Sequence, residues 1–155
     1  MRVKGVFRHN VSSKKHRMNV KAIVLSGIIF ISTTAMIAQE NNAEKIVQAN
    51  LDAYNAHDIE LFMSFFSDDI AMHNFKDSKQ TASGINEVRA IYEPYFKASP
   101  NLHSKILKRT VFDNKVIDHE YITGASGSSD PFEIVLIYEV EDTKIVKMTA
   151  IRKRN

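Results

Sequence analysis

The sequence predicts an α+β domain in which helices come first and an antiparallel sheet follows, with the helices packed on one face of that sheet. Three observations carry this. Apolar residues recur at helical spacing only in the stretch that ends at Ala98. Beyond it lie four segments with strand patterning, two pairs of them joined by the short turn sequences Asp113-Asn114 and Glu141-Asp142-Thr143. The middle of Phe132–Val140 is apolar on both sides, through Ile134 and Leu136 on one and Val135 and Ile137 on the other, as in a central strand. A chain of 155 residues suits a single domain of this kind.

Taken in order, residues 1–38 are expected to be a leader rather than part of the fold. Lys14, Lys15, Arg17 and Lys21 precede Ala22–Ala38, which reads AIVLSGIIFISTTAMIA and is followed by polar Gln39-Glu40-Asn41-Asn42. A basic segment, a short apolar core and small residues near its end are the signature of a secretory signal. Cleavage after Ala38 would export the domain over residues 39–155 to the periplasm or medium and leave no stable membrane anchor. The competing reading is an uncleaved anchor. Against it, the stretch sits at the lower limit of spanning length, Ser26, Ser32, Thr33 and Thr34 dilute it, and no positive cluster follows. Met18 offers a second start for a compact signal beginning MNVKA.

In the remaining chain, Ile46, Val47, Ala49, Leu51, Ala53 and Tyr54 place one apolar stripe on a helix over Ala43–Ala56. Asp58 is positioned to cap a second helix, Ile59–Phe66, ended by Ser67-Asp68-Asp69. Ile70–Phe75 reads as a short strand and Lys76–Ser83 as a polar loop. Val88, Ile91, Tyr92, Tyr95 and Phe96 give a third helix over Gly84–Ala98, which Pro94 is expected to kink or split. Strands follow over Leu102–Phe112, Lys115–Thr123, Phe132–Val140 and Lys144–Ile151, with a flexible loop, Gly124–Asp130, between the second and third.

Charge and composition exclude several functions. The net charge of +3 conceals an asymmetry. All seven basic residues of the first 38 stand without an acidic one, whereas residues 39–155 carry 14 basic against 18 acidic residues, a net charge of −4. The folded part therefore has no electrostatic reason to bind nucleic acid. There is no cysteine, which removes disulfides, thiol catalysis, cysteine-based zinc sites and a lipid anchor on cysteine. No phosphate-binding glycine loop or nucleophile elbow is present. His57, His73, His103 and His119 show no helical metal-ligand spacing, so no metal and no cofactor is expected. His57 sits in a turn, expected to be solvated.

Three phrases resemble the nuclear-transport-factor-2-like superfamily, in particular its SnoaL-like and ketosteroid-isomerase-like members. The first is Leu51-Asp52-Ala53-Tyr54-Asn55-Ala56-His57-Asp58 with Phe65-Phe66-Ser67-Asp68-Asp69-Ile70; the second is Gly84-Ile85 through Ile91-Tyr92; the third is Ile137–Val146. The resemblance covers nearly all of residues 43–152. It implies a cone-shaped, strongly curved antiparallel sheet on three helices, an apolar pocket at the open end, and often a homodimer. It does not fix an activity. Carried over by the Asn55–Asp58 turn and the last hairpin, the steroid-isomerase tyrosine falls on Asn50, the carboxylate base on Asn74 next to His73, and the oxyanion-holding acid near Leu136. An amide and a leucine cannot do that chemistry, so a typical steroid isomerase is not expected.

Another polar cluster stands out. Asp118-His119-Glu120-Tyr121 places ionisable residues in mid-strand, where alternation separates Asp118 and Glu120 from His119 and Tyr121. Arg109 is across the Asp113-Asn114 turn, within reach of Asp118 or Glu120. Either His119 or Glu120 faces the pocket as acid, base or ligand anchor, or the cluster is a salt-bridged surface or dimer contact. The reading adopted is an exported domain binding a small hydrophobic ligand. Tyr54, Phe66, Tyr92 and Phe96 form the pocket wall; His73, Asn74, Arg109, His119 and Glu120 are its polar groups, with His119, Glu120 and His73 the candidates for catalysis. An acid–base enzyme on the same pocket and a non-catalytic interaction module are the alternatives.

Overall fold

The computed structural model describes residues 42–153. The leader, and with it the division at residue 38, lies outside the described residues. Helix α1 covers residues 42–55 and buries Ala43, Ile46, Val47, Asn50, Leu51 and Ala53 along one face. His57 turns the chain with a positive φ of 55°. Helix α2, Ile59–Ser64, is capped by Asp58, whose Oδ1 accepts from the Leu61 N–H at 3.0 Å. Helix α3 is Ile85–Ala98.

Six strands make one sheet: β1 Phe66–Asn74, β2 Gln80–Ser83, β3 His103–Phe112, β4 Lys115–Thr123, β5 Phe132–Glu141 and β6 Lys144–Arg152. Their order is β2-β1-β6-β5-β4-β3. Every neighbouring pair is antiparallel except β1 and β6, which run parallel. The sheet is therefore mixed, not wholly antiparallel as expected. Strands β3 to β6 are successive neighbours, whereas β1 pairs with β6 across the whole intervening chain, and no hairpin dictates its direction. Register shifts between Ile106 and Lys108, between Glu139 and Val140, and between Phe66 and Ala71 bend the strands, as bulges do. The curved sheet wraps its inner face around the helices.

Three sequence expectations are corrected. Helix α2 ends at Ser64, and Phe66 already belongs to β1. Ser67-Asp68-Asp69, which read as a helix end, occupies the irregular stretch of that strand. The polar stretch taken as a loop contains the edge strand β2, where only Ala82 is buried, so it carries almost no apolar signal. Pro94 neither splits α3 nor ends it; one helix runs through it, held by the buried Val88 and Phe96 on either side.

The core joins α1, α2 and α3 to the inner face through an aromatic cluster. Phe62 lies 4.7 Å from Tyr92, 5.1 Å from Phe66 and 5.9 Å from Tyr54, ring centre to ring centre. Such tilted and edge-on pairs add about 0.5–1.5 kcal/mol each beyond burial. At the end of β4, Gly124 has φ +67° and passes so close to Asn101 that a Cβ would stand 2.0 Å from the Asn101 carbonyl oxygen, so only glycine fits. No helix among the described residues is long and apolar enough to cross a membrane.

Candidate functional site

Alternation along β4 aims Val116, Asp118, Glu120 and Ile122 inward and leaves Ile117, His119 and Tyr121 outward. The same alternation aims Ile134, Leu136 and Tyr138 inward from β5. Between these strands and the helices lies a cavity of about 940 Å³. Asn50 and Tyr54 of α1, Phe62 of α2, and Ile91, Tyr92 and Tyr95 of α3 form one wall. Met72, His73 and Asn74 of β1, Glu120 and Ile122 of β4, the inward residues of β5, and Met148, Ala150 and Arg152 of β6 form the other. The Ala125–Ser128 loop borders it.

Glu120 is the ionisable group in its depth, 3% exposed. Ser104 Oγ donates to its Oε2 at 2.5 Å, and the Tyr138 hydroxyl donates to its Oε1 at 3.3 Å. No cation among the described residues comes within salt-bridge distance of it. Burial pushes the carboxyl up to about 7; the Ser104 bond opposes this, the negative charge of Asp118 adds to it, and the Tyr138 bond and the more distant Arg109 oppose it. Near neutral pH Glu120 therefore exists both as a proton donor and as an acceptor. Burial also raises the Tyr54, Tyr92 and Tyr138 phenols, which stay protonated as hydrogen-bond donors.

Asp118, two residues away on the same face, has the opposite surroundings. Arg109 grips it from two nitrogens, at 2.7 Å and 2.6 Å, and reaches Gln48 Oε1 at 2.8 Å. Arg109 is thus a clamp between β3, β4 and α1 and does not line the cavity, contrary to expectation; the fully buried Asp118 accepts from the Nε and Nη2 edge of its guanidinium.

The other candidates divide. Tyr54, Tyr92, His73 and Asn74 line the cavity with Glu120. The His73 Nδ1 is buried without a hydrogen-bond partner, and Asn74 Oδ1 accepts from the Lys76 N–H at 3.3 Å. Phe96 and Phe66 do not reach the cavity and fill the core behind it, Phe96 at 5.3 Å from Tyr54. His119 is on the outer face, where its Nε2 meets Glu133 Oε2 at 2.7 Å and Glu133 in turn meets Lys153 at 2.9 Å. It cannot be the base of this pocket, because strand alternation gives the inside to Glu120. His57 is half-buried, not solvated: it bonds the Leu102 carbonyl at 2.9 Å and packs on Phe96. Asn50, Asn74 and Leu136, onto which the steroid-isomerase trio was carried, all line the cavity. Ser104, Tyr138 and Arg152 were missed. The inward phase of β5 pointed to Tyr138, but nothing local marks Ser104, whose role depends on its neighbour in another strand.

The family model described as "SnoaL-like domain" matches residues 47–148. The chain belongs to the SnoaL-like family. No curated protein matches it. Among solved structures, this SnoaL-like chain is similar to an uncharacterized cystatin-fold protein from Novosphingobium aromaticivorans, at 27% identity and a TM-score of 0.64, covering 72% of this chain and 97% of the other. It is also similar to a SnoaL-like protein of unknown function from Burkholderia thailandensis, at 20% identity, TM-score 0.61, covering 74% and 96%. A third is a protein with a ketosteroid isomerase-like fold from Catenulispora acidiphila, in complex with trimethylamine, at 15% identity, TM-score 0.56, covering 70% and 85%. At such identities the last two speak for the fold alone. The expected α+β cone with its curved sheet is what this SnoaL-like domain has.

Proposed function

We propose that this domain binds a small, largely apolar molecule in the cone and that Glu120 is the group that engages its polar atom. The observation that carries the reading is a carboxyl buried in the wall of a large cavity, held by two hydroxyls and, among the described residues, by no cation. A structural acid at such depth is normally paired, as Asp118 is. Tyr54, Phe62, Tyr92 and Leu136 supply apolar and aromatic surface suited to a flat or branched hydrocarbon body. The basic-then-apolar leader supports a domain that works after export.

Glu120 also favours a second reading, acid–base chemistry on a carbonyl-bearing ligand. A carboxyl titrating near neutrality can move a proton beside a carbonyl or hydrogen-bond its oxygen. A homodimer through the outer sheet face is supported by the row of Ile117, Ile137, Val135 and Ile151, which neighbour one another across β4, β5 and β6.

Thermal unfolding of the purified protein against steroids, polyketide-like aromatics and lactones tests the pocket. A bound compound at a hundredfold excess over its Kd adds about 2.7 kcal/mol. The expected result is a stabilising compound whose effect falls at least tenfold in affinity in Glu120→Gln. If no compound shifts either protein, the cavity is not a ligand site, and the interaction module takes its place.

A further inference from the structure

Resting on the pocket reading, the geometry points to a ligand with one anionic end: we infer that the molecule held in the cone is a carboxylic acid, its carboxylate held by Arg152 and its apolar body lying over Ile134 toward Glu120. Arg152 is the last residue of β6, on the same inward phase as Met148 and Ala150, and it lines the cavity while remaining exposed. No hydrogen bond or ion pair holds it among the described residues, unlike the arginines at 89 and 109, which are each clamped by a carboxylate. The neighbouring Lys153 is engaged by Glu133. Arg152 is thus a cavity-lining cation without a counter-ion among the described residues. Its charge is felt inside: although burial dominates in raising the Tyr92 phenol, Arg152 acts against that rise.

The register sets the spacing. Glu120 is paired with Ile134, and Ile134 with Arg152, so the three stand in one row across β4, β5 and β6. Two strand spacings put the outer members about 10 Å apart, Cα to Cα. Glu120 is the buried end of the row and Arg152 the exposed end. One guanidinium matches a monoanionic carboxylate through two parallel hydrogen bonds. A phosphate dianion would call for more positive charge than a single free arginine, and Glu133 at the rim would oppose it.

Calorimetric titration of the full-length protein with matched pairs tests this: decanoic, 4-phenylbutyric and naphthylacetic acids, each with its methyl ester. The expected result is that at least one acid binds tenfold or more tighter than its ester. Arg152→Gln abolishes that preference without weakening the ester, and Arg89→Gln, which removes the same charge from the surface, leaves the preference intact. Equal binding of acid and ester overturns the carboxylate inference while the pocket reading stands. A preference lost equally in Arg89→Gln assigns it to overall charge and also overturns the inference. If neither acids, esters nor the neutral compounds of the thermal panel bind, the pocket reading fails and takes this inference with it.

Discussion

At the scale of single residues, Asp118 and Glu120 show how one strand face carries two different acids. Both are buried, but Arg109 neutralises one, and among the described residues only hydroxyls reach the other. Glu120 keeps its proton up to about 7 in the fold, against an ordinary 4.5. Between those values the folded state binds more protons than the unfolded one, so stability falls as pH rises. The contribution is fully present below about 4.5 and is lost as pH climbs through 7, a change of roughly 3 kcal/mol. Urea unfolding from pH 4.5 to 8 should show this slope in the wild type and its absence in Glu120→Gln; parallel profiles would refute the assignment. Arg109→Met strands the buried Asp118 charge and should cost about 3–5 kcal/mol, whereas Arg109→Met with Asp118→Leu should recover most of it. A single variant no less stable than the double one would show that the pair is not a buried clamp.

At the scale of elements, the polar residues of the site depend on strand phase, and strand phase depends on turns and bulges. The turn after β4 is the strictest of these. Gly124→Ala must push its Cβ off the Asn101 carbonyl and hold a left-handed backbone, which should cost more than about 1–3 kcal/mol and disturb the loop that borders the cavity. Differential scanning calorimetry would register it as a lowered Tm; an unchanged Tm would mean that the loop relaxes freely. Strand phase also explains which site residues were legible. Tyr54 and Tyr92 announced themselves by helical spacing, and the separation of Glu120 from His119 followed from alternation alone. What alternation could not supply was the absolute phase, so His119 remained as plausible as Glu120 until the sheet showed which face was inner. Arg152 and Ser104 were illegible because neither has a local signature. Each matters through a neighbour one or two strands away.

At the scale of the whole molecule, the curved sheet has an inner face given to the cavity and core and an outer face with an apolar row at Ile117, Ile137, Val135 and Ile151. If that row is a dimer interface, Ile137→Lys should shift the protein from dimer to monomer in sedimentation at micromolar concentration while leaving ligand binding in the separate cavity intact. A wild type that is monomeric at every concentration would remove the dimer.

The sequence by itself determined the α+β class, the four-stranded meander after α3, the family resemblance and the pool of aromatic wall residues, because these rest on local periodicity, turn chemistry and order along the chain; it did not give a strict helix-then-sheet order, since β1 and β2 stand between α2 and α3. Tertiary structure decided the rest. It paired β1 with β6 in parallel, recruited the polar β2 as an edge, carried α3 through Pro94, half-buried His57, and removed Arg109, His119 and Phe96 from the cavity. Each of these depends on contacts between residues far apart in sequence. Long-range pairing chooses which face of a strand is inside, and burial then sets the chemistry of whatever acid is found there.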